Sequence, residues 1–251
     1  MRRGARRDGF PRARGHVCRA ALVCALAMLA TAGPADGRPI ARPMWVAGFT
    51  VTEYYPVPES WFTGALVAAP GLSGTHRVDW LYSARGVTME GDGIGLDGAR
   101  YHVESTGHGG WVDKRGRSSC VSCGGGVFWR AGGFWRNARG ALTYPLAGGS
   151  WFAGVGTRYV PLAGVSFARG PSRPLRYYQS VAVDPKLIPL GSHVYIPFYR
   201  GISGGWFTAA DTGGAIGGRH VDVYRTPPPG GTGRYMTGQR VYVVPPGARY
   251  P

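Results

Sequence analysis

The chain is 251 residues long, carries 29 Lys and Arg against 13 Asp and Glu, and is 44% hydrophobic and 12% aromatic. That length and apolar content exclude a disordered chain and suit one large or two small domains with a buried core. A formal charge of +16 favours polyanionic surroundings, yet no aromatic-basic RNA motif or recognition-helix pattern supports a nucleic-acid partner.

An Arg-rich stretch from Arg2 to Arg19 leads into an uncharged apolar run, Ala20 to Ala32. Such a run, about thirteen residues, fits the core of a signal peptide and falls short of the roughly 20 needed to cross a bilayer. Ala30-Thr31-Ala32 supplies a small-residue cleavage site. Residues 1–32 are therefore expected to be a signal peptide, and the mature protein to act in the periplasm, the envelope or the medium. Arg6-Arg7 does not decide between the general secretory and twin-arginine routes. Cleavage removes seven Arg and Asp8, leaving 22 basic and 12 acidic residues and a formal charge of +10. Acidic envelope polymers are the polyanions expected around such a protein.

With Cys18 and Cys24 in the leader, Cys120 and Cys123 remain, as Cys-Val-Ser-Cys. In an oxidising compartment a local disulfide is the leading expectation. A zinc knuckle would need two more ligands, with His102 and His108 within reach, and a thioredoxin-like role would need a helix where Gly124-Gly125-Gly126 follows. Neither a resident metal nor a cofactor is called for.

The 43 Gly and 20 Pro punctuate the chain too often for long helices, so a mainly β protein is expected. After a linker over 33–44, residues 45–58 hold a long strand pattern interrupted by Pro56 and Pro58. Residues 59–170 are rich in Gly and aromatics without a sustained period. There Glu90, Asp92 and Asp97 do not fit the ligand spacing of an EF-hand and are read as solvated turn residues. Trp111, Trp129, Trp135 and Trp151 are read mostly as core. From 171 to 251 short strands follow at 179–183, 193–196, 206–210, 220–224 and 240–244. With the first strand these make six, the count of a small closed barrel.

Three carboxylates fall on these strands or their ends: Asp184, Asp211 and Asp222. In His220-Val221-Asp222-Val223-Tyr224 the valines share one face while His220, Asp222 and Tyr224 share the other, so valines in the core turn Asp222 toward a groove. Asp211 opens Asp-Thr-Gly-Gly, whose glycines allow a tight turn and close ligand approach. Asp184 precedes Pro185, which keeps it extended. Each alone could equally be a turn carboxylate capping backbone amides.

The segments Val181-Ala182-Val183-Asp184-Pro185, Ile188-Pro189-Leu190-Gly191, Ala210-Asp211-Thr212-Gly213-Gly214-Ala215-Ile216-Gly217-Gly218 and Val221-Asp222-Val223-Tyr224 resemble the three-aspartate (3D) domain. They are also similar to the C-terminal barrel of the membrane-bound lytic transglycosylase A family, with Val51-Thr52-Glu53-Tyr54-Tyr55-Pro56 as its first strand. The resemblance implies a six-stranded double-psi β-barrel with a large insertion after the first strand. It further implies cleavage of the β-1,4 bond between N-acetylmuramic acid and N-acetylglucosamine in peptidoglycan, with a 1,6-anhydro product. Asp222 takes the general acid/base role, with Asp211 and Asp184 as supporting carboxylates. Thr52, Tyr54, Thr212, Gly213, Gly214 and Tyr224 are placed around the sugar. The family often has Lys where this chain has Gly217, and Arg219 is the residue expected to compensate.

Clustered aspartates have a physical use in this chemistry, because like charges raise the pKa of an acid that must start protonated. Two other enzymes and a non-enzyme compete. Asp211 and Asp222 are candidates for a hydrolytic muramidase pair. Asp211-Thr212-Gly213 matches the tripeptide of aspartic proteases, but only one copy is present where two are needed. The non-enzyme reading is a cell-wall-binding barrel. His193 and His220 lie near no nucleophile motif, so Ser/His/Asp chemistry has little support.

Overall fold

Valine dominates the strand segments of this chain, and its branched side chain packs well on a pleated, half-buried surface. The computed structural model describes residues 38–83, 85–112, 134–140, 142–143, 146–147, 158–159, 161–229 and 233–249. The expected signal peptide with its cleavage site, the Cys120–Cys123 pair, Trp129 and Trp151 lie outside the described residues.

Six strands close a barrel: β1 Met44–Tyr54, β2 Ser180–Val183, β3 His193–Tyr195, β4 Trp206–Asp211, β5 His220–Tyr224 and β6 Tyr235–Val244. Their order around the barrel is β1-β5-β2-β4-β3-β6, with β6 closing onto β1. β1/β5 and β2/β4 are parallel, and the other pairs are antiparallel. The expected closed six-stranded barrel is thus present, its strands interleaved rather than joined as simple hairpins. β6 starts at Tyr235, ahead of the expected residue 240. β1 stops at Tyr54, and Val57–Pro58 pair instead with Gly93–Ile94 in a different sheet. Pro56 marks the break, since it has no N–H to offer a ladder.

The barrel core is made by alternation. Val181, Val183, Val221, Val223, Val241 and Val243 are all fully buried. β1 contributes Val46, Phe49 and Val51, a spacing of three and then two that a regular strand would send to opposite faces. A bulge resolves this: the pairing of β1 with β6 slips on either side of Phe49, and Gly48 takes a φ of 81° there. On the outer face Trp45, Tyr242, Tyr195 and Trp206 stand in register across four neighbouring strands.

Between β1 and β2 the chain builds a four-stranded sheet in the order 166–169, 100–105, 92–94, 57–58, with short helices Val78–Tyr82 and Val87–Glu90. Trp80, Tyr82, Tyr101, Trp111, Trp135 and Phe167 belong to a second apolar cluster there. Trp111 and Trp135 are buried edge to face, with ring centroids 5.4 Å apart, as expected of core aromatics. Asp92, expected as a solvated turn residue, accepts hydrogen bonds from the Ser172 N–H at 2.8 Å and hydroxyl at 2.5 Å, tying this sheet to the segment that enters the barrel. Arg100 makes a second tie, donating to the hydroxyls of Tyr177 at 3.2 Å and Tyr224 at 2.5 Å.

One buried charge is set at the end of β1. Glu53 faces inward with its side chain only 1% exposed. It accepts from the Tyr199 hydroxyl at 2.7 Å, the Arg225 guanidinium at 2.5 Å and the Arg234 backbone N–H at 2.9 Å. Burial alone would raise its pKa; the hydrogen bonds from Tyr199, Arg225 and Arg234 outweigh that and hold it below the usual glutamate value. A carboxylate with a lowered native pKa contributes stability above its unfolded pKa, and that contribution is lost as pH falls through the native value. Glu53→Ala should therefore destabilise the fold by about 3 kcal/mol at pH 7, because Arg225 loses its counter-charge. The cost should shrink in acid. Urea unfolding at pH 7 and pH 3 checks this, and equal midpoints for both proteins at pH 7 would reject it.

Candidate active site

The parallel pairing of β1 with β5 sets Thr52 directly beside Asp222, and Tyr54 beside Tyr224. Asp222 is also level with Ala182 of β2, and Ala182 with Asp211 of β4. Thr52, Asp222, Ala182 and Asp211 therefore form one row across four strands. The two aspartates stand two strands apart, about 10 Å at the backbone, with a small side chain between them. Val221 and Val223 point into the core, and His220 and Asp222 stay half-buried on the other face, as the alternation predicts.

Tyr54 uses the space over Ala182. From β1 its hydroxyl reaches Asp211 on β4 and donates to Oδ2 at 2.8 Å. Burial, followed by the charges of Asp211 and Asp222, pushes the Tyr54 phenol far above its ordinary value, so it remains a donor. Asp211 further accepts the Thr212 N–H at 2.8 Å on Oδ1, and the Arg173 guanidinium stands 3.4 Å from that same oxygen. Asp211 is thus spoken for on both oxygens.

Asp222 has a different environment. Among the described residues its hydrogen-bond partner is the Thr52 hydroxyl, 2.6 Å from Oδ1. Burial pushes its pKa up to about 7, the Thr52 hydrogen bond opposes this, and the charges of Glu53 and Asp211 add to it. Desolvation is the leading cause, with like charges second. His220 Nε2 sits 2.8 Å from the same Thr52 hydroxyl.

The other expected residues have different surroundings. Asp184 is not among the charges acting on Asp222; its carboxylate accepts the N–H of Lys186 at 2.9 Å and of Gly218 at 2.7 Å. It clamps the 212–218 loop to the turn after β2. Tyr224, expected beside the sugar, is 2% exposed, with its ring stacked on Tyr177 at 5.0 Å and its hydroxyl held by Arg100. Its ring also packs on that of Tyr54, with centroids 5.1 Å apart. Arg219, expected to replace the charge missing at Gly217, directs its guanidinium to the Ala47 carbonyl at 3.3 Å. Thr212 is partly exposed beside Asp211, and Gly213 and Gly214 lie open to solvent.

Two residues near the site left no sequence signal. Arg173 reaches Asp211 from an irregular segment without a motif. Glu90 closes helix Val87–Glu90 and keeps solvent contact, yet crowding desolvates its carboxyl and the Asp222 charge adds, pushing its pKa up to about 7 against the pull of Arg85. In sequence Glu90 had the look of a solvated turn.

Residues 179–244 match the model of the 3D domain. Over 44 residues the chain is 57% identical to the cell wall-binding protein YocH and 50% identical to the putative cell wall shaping protein YabE, both of Bacillus subtilis (strain 168). Each match takes in 18% of this chain but only 14% and 10% of the relatives' own lengths. Among solved structures, a membrane-bound lytic murein transglycosylase of Agrobacterium tumefaciens is similar at 12% identity over 81% of this chain and 77% of that one, TM-score 0.39. E. coli MltA with bound chitohexaose is similar at 17% identity over 80% and 73% of the chains, TM-score 0.42. At such TM-scores the likeness is too loose to transfer positions.

A carboxyl whose native pKa is raised stabilises the fold fully only below its unfolded value, near 3.8 for Asp222, and loses that contribution as pH rises through about 7. Asp222→Asn should therefore melt higher than the wild type at pH 8, by on the order of 1 kcal/mol in stability, and at the same temperature near pH 4. Calorimetry across that range checks it. A wild-type advantage at pH 8 would show that the ionised carboxylate is welcome in this site.

Proposed function

We propose that this chain is an exported enzyme that cleaves peptidoglycan glycan strands as a lytic transglycosylase, with Asp222 as its single acid/base. The observation that carries the reading is the contrast between the two aspartates of the row. Asp222 is poised near neutrality and faces the groove, whereas Asp211 is held by a phenol, a backbone N–H and a guanidinium. One free acid and one committed carboxylate suit a reaction that needs one group for both proton transfers.

In this mechanism Asp222 gives its proton to the glycosidic oxygen as the C1–O bond of N-acetylmuramic acid breaks, freeing the 4-hydroxyl of N-acetylglucosamine. The C6 hydroxyl oxygen of the same muramic residue then bonds to C1, and its proton passes to the Asp222 carboxylate. The acid is regenerated and no water is consumed. An acid with a pKa near 7 is suited to both steps at neutral pH. Tyr54 and Arg173 keep Asp211 fixed, so that its charge remains where it disfavours ionisation of Asp222. Thr52, Tyr54, Thr212, Gly213 and Gly214 border the groove where the sugars would lie.

The names of the two Bacillus relatives favour a second reading, a barrel that binds cell wall without cutting it. The basic charge and expected leader suit either protein at an envelope rich in acidic polymers. A hydrolytic muramidase would need Asp211 to activate water, and its three partners weigh against that role.

The test is mass spectrometry of soluble products from purified sacculi. Wild-type protein should release anhydromuropeptides, and Asp222→Asn should lower release by at least about a hundredfold while remaining folded. Products carrying an added water would establish hydrolysis instead. Sacculus pull-down without soluble products from wild type would establish binding alone.

A further inference from the structure

The Thr52 hydroxyl lies between two titratable groups, 2.6 Å from Asp222 Oδ1 and 2.8 Å from His220 Nε2. It has one hydrogen, so it donates to only one of them at a time. The His220 ring also makes a hydrogen bond to the Ala215 backbone, of the kind that favours a protonated ring nitrogen. With Nε2 against Thr52, that bond falls to Nδ1, whose N–H donates to the Ala215 carbonyl. A neutral imidazole carries a single N–H. Nδ1 holds it, which leaves Nε2 a bare acceptor that competes with Asp222 Oδ1 for the one Thr52 hydrogen.

When Nε2 takes that hydrogen, Thr52 turns a lone pair toward Asp222 Oδ1 at 2.6 Å. Two lone pairs at that distance repel unless Oδ1 carries a proton. When the ring is charged instead, Nε2–H donates to Thr52 and Thr52 donates to a carboxylate. Either way one proton is held between Asp222 and His220. The combination of neutral ring and bare carboxylate leaves one of the two acceptors, Nε2 or Oδ1, without a donor.

We propose that His220 is a positioning residue that acts through the Thr52 hydroxyl to keep Asp222 protonated before substrate arrives. This rests on the reading of Asp222 as an acid. Over a turnover His220 neither gains nor loses a proton. It sets which way the Thr52 hydrogen points, and so whether Asp222 meets a donor or an acceptor. Burial of the ring disfavours its charged form and lowers its pKa, which selects the neutral-ring, protonated-acid state. The charged and titratable groups around this couple are Asp211, Glu53, Tyr54 and Glu90 about Asp222, and Arg219 beside His220, with its guanidinium on the Ala47 carbonyl. Glu53 and Asp211 act in the same direction, against a charge on Asp222.

The test uses substrate-free, full-chain protein, so it stands apart from the sacculus assay. Long-range proton–nitrogen NMR of labelled histidine should find His220 at neutral pH with its proton on Nδ1; a proton on Nε2 would overturn the proposal without any variant. Carbon NMR should then follow the Asp222 carboxyl. His220→Phe frees Thr52 to donate to the carboxylate, so the Asp222 midpoint should fall by about one unit, a tenfold loss of acid form at a given pH. In a Thr52→Val background the same change should have no effect. An unmoved midpoint in folded His220→Phe, or an equal shift without the Thr52 hydroxyl, overturns the proposal. Sacculus inactivity together with the expected NMR result would sink the enzymatic reading and leave the proton couple standing.

Discussion

Glu53 is the constraint on which the site depends. It is a charged residue in the inward sequence of a barrel strand, held there by Tyr199, Arg225 and the backbone of Arg234. Because side chains alternate along a strand, fixing Glu53 inward sends Thr52 and Tyr54 to the opposite face, where they meet Asp222 and Asp211. Arg225 follows directly on Tyr224, the end of β5. The same ion pair therefore holds the strand that carries Asp222 level with the strand that carries Thr52. A slip of one residue would exchange the groove face of either strand for its core face.

The charge of Glu53 also reaches the chemistry. Hydrogen bonding keeps it ionised, and its negative charge is among the causes that raise Asp222. Two carboxylates on neighbouring strands are thus driven in opposite directions: the one with three donors to the ionised state, the one with a single hydroxyl partner to the neutral state. Divergence of this kind separates a structural anion from an acid. Asp211 occupies a third position, satisfied by direct partners and turned into a fixed source of repulsion.

The inserted sheet contributes from outside. Arg100 and Asp92 tie it to the barrel, and helix Val87–Glu90 brings a further carboxyl toward Asp222. Residues with no legible pattern in the sequence therefore complete the electrostatics of a site whose main members were legible. Asp184 shows the reverse, a motif residue whose geometry makes it a loop clamp.

The sequence by itself determined the mainly β character, the strands of the barrel and the face on which Asp222 lies. These follow from Val-rich period-two segments and from Pro and Gly breaks, which act over a few residues. It did not determine that Tyr54 would span two strands to Asp211, that Thr52 would join Asp222 to His220, or that Glu53 would be a buried anchor. Those depend on strand order and register between segments about 170 positions apart in the chain, as the separations of Thr52 from Asp222 and Glu53 from Arg225 make plain. Only closure of the barrel sets these distances, and the desolvation and charge repulsion that raise the pKa of Asp222 depend on distance rather than on residue type.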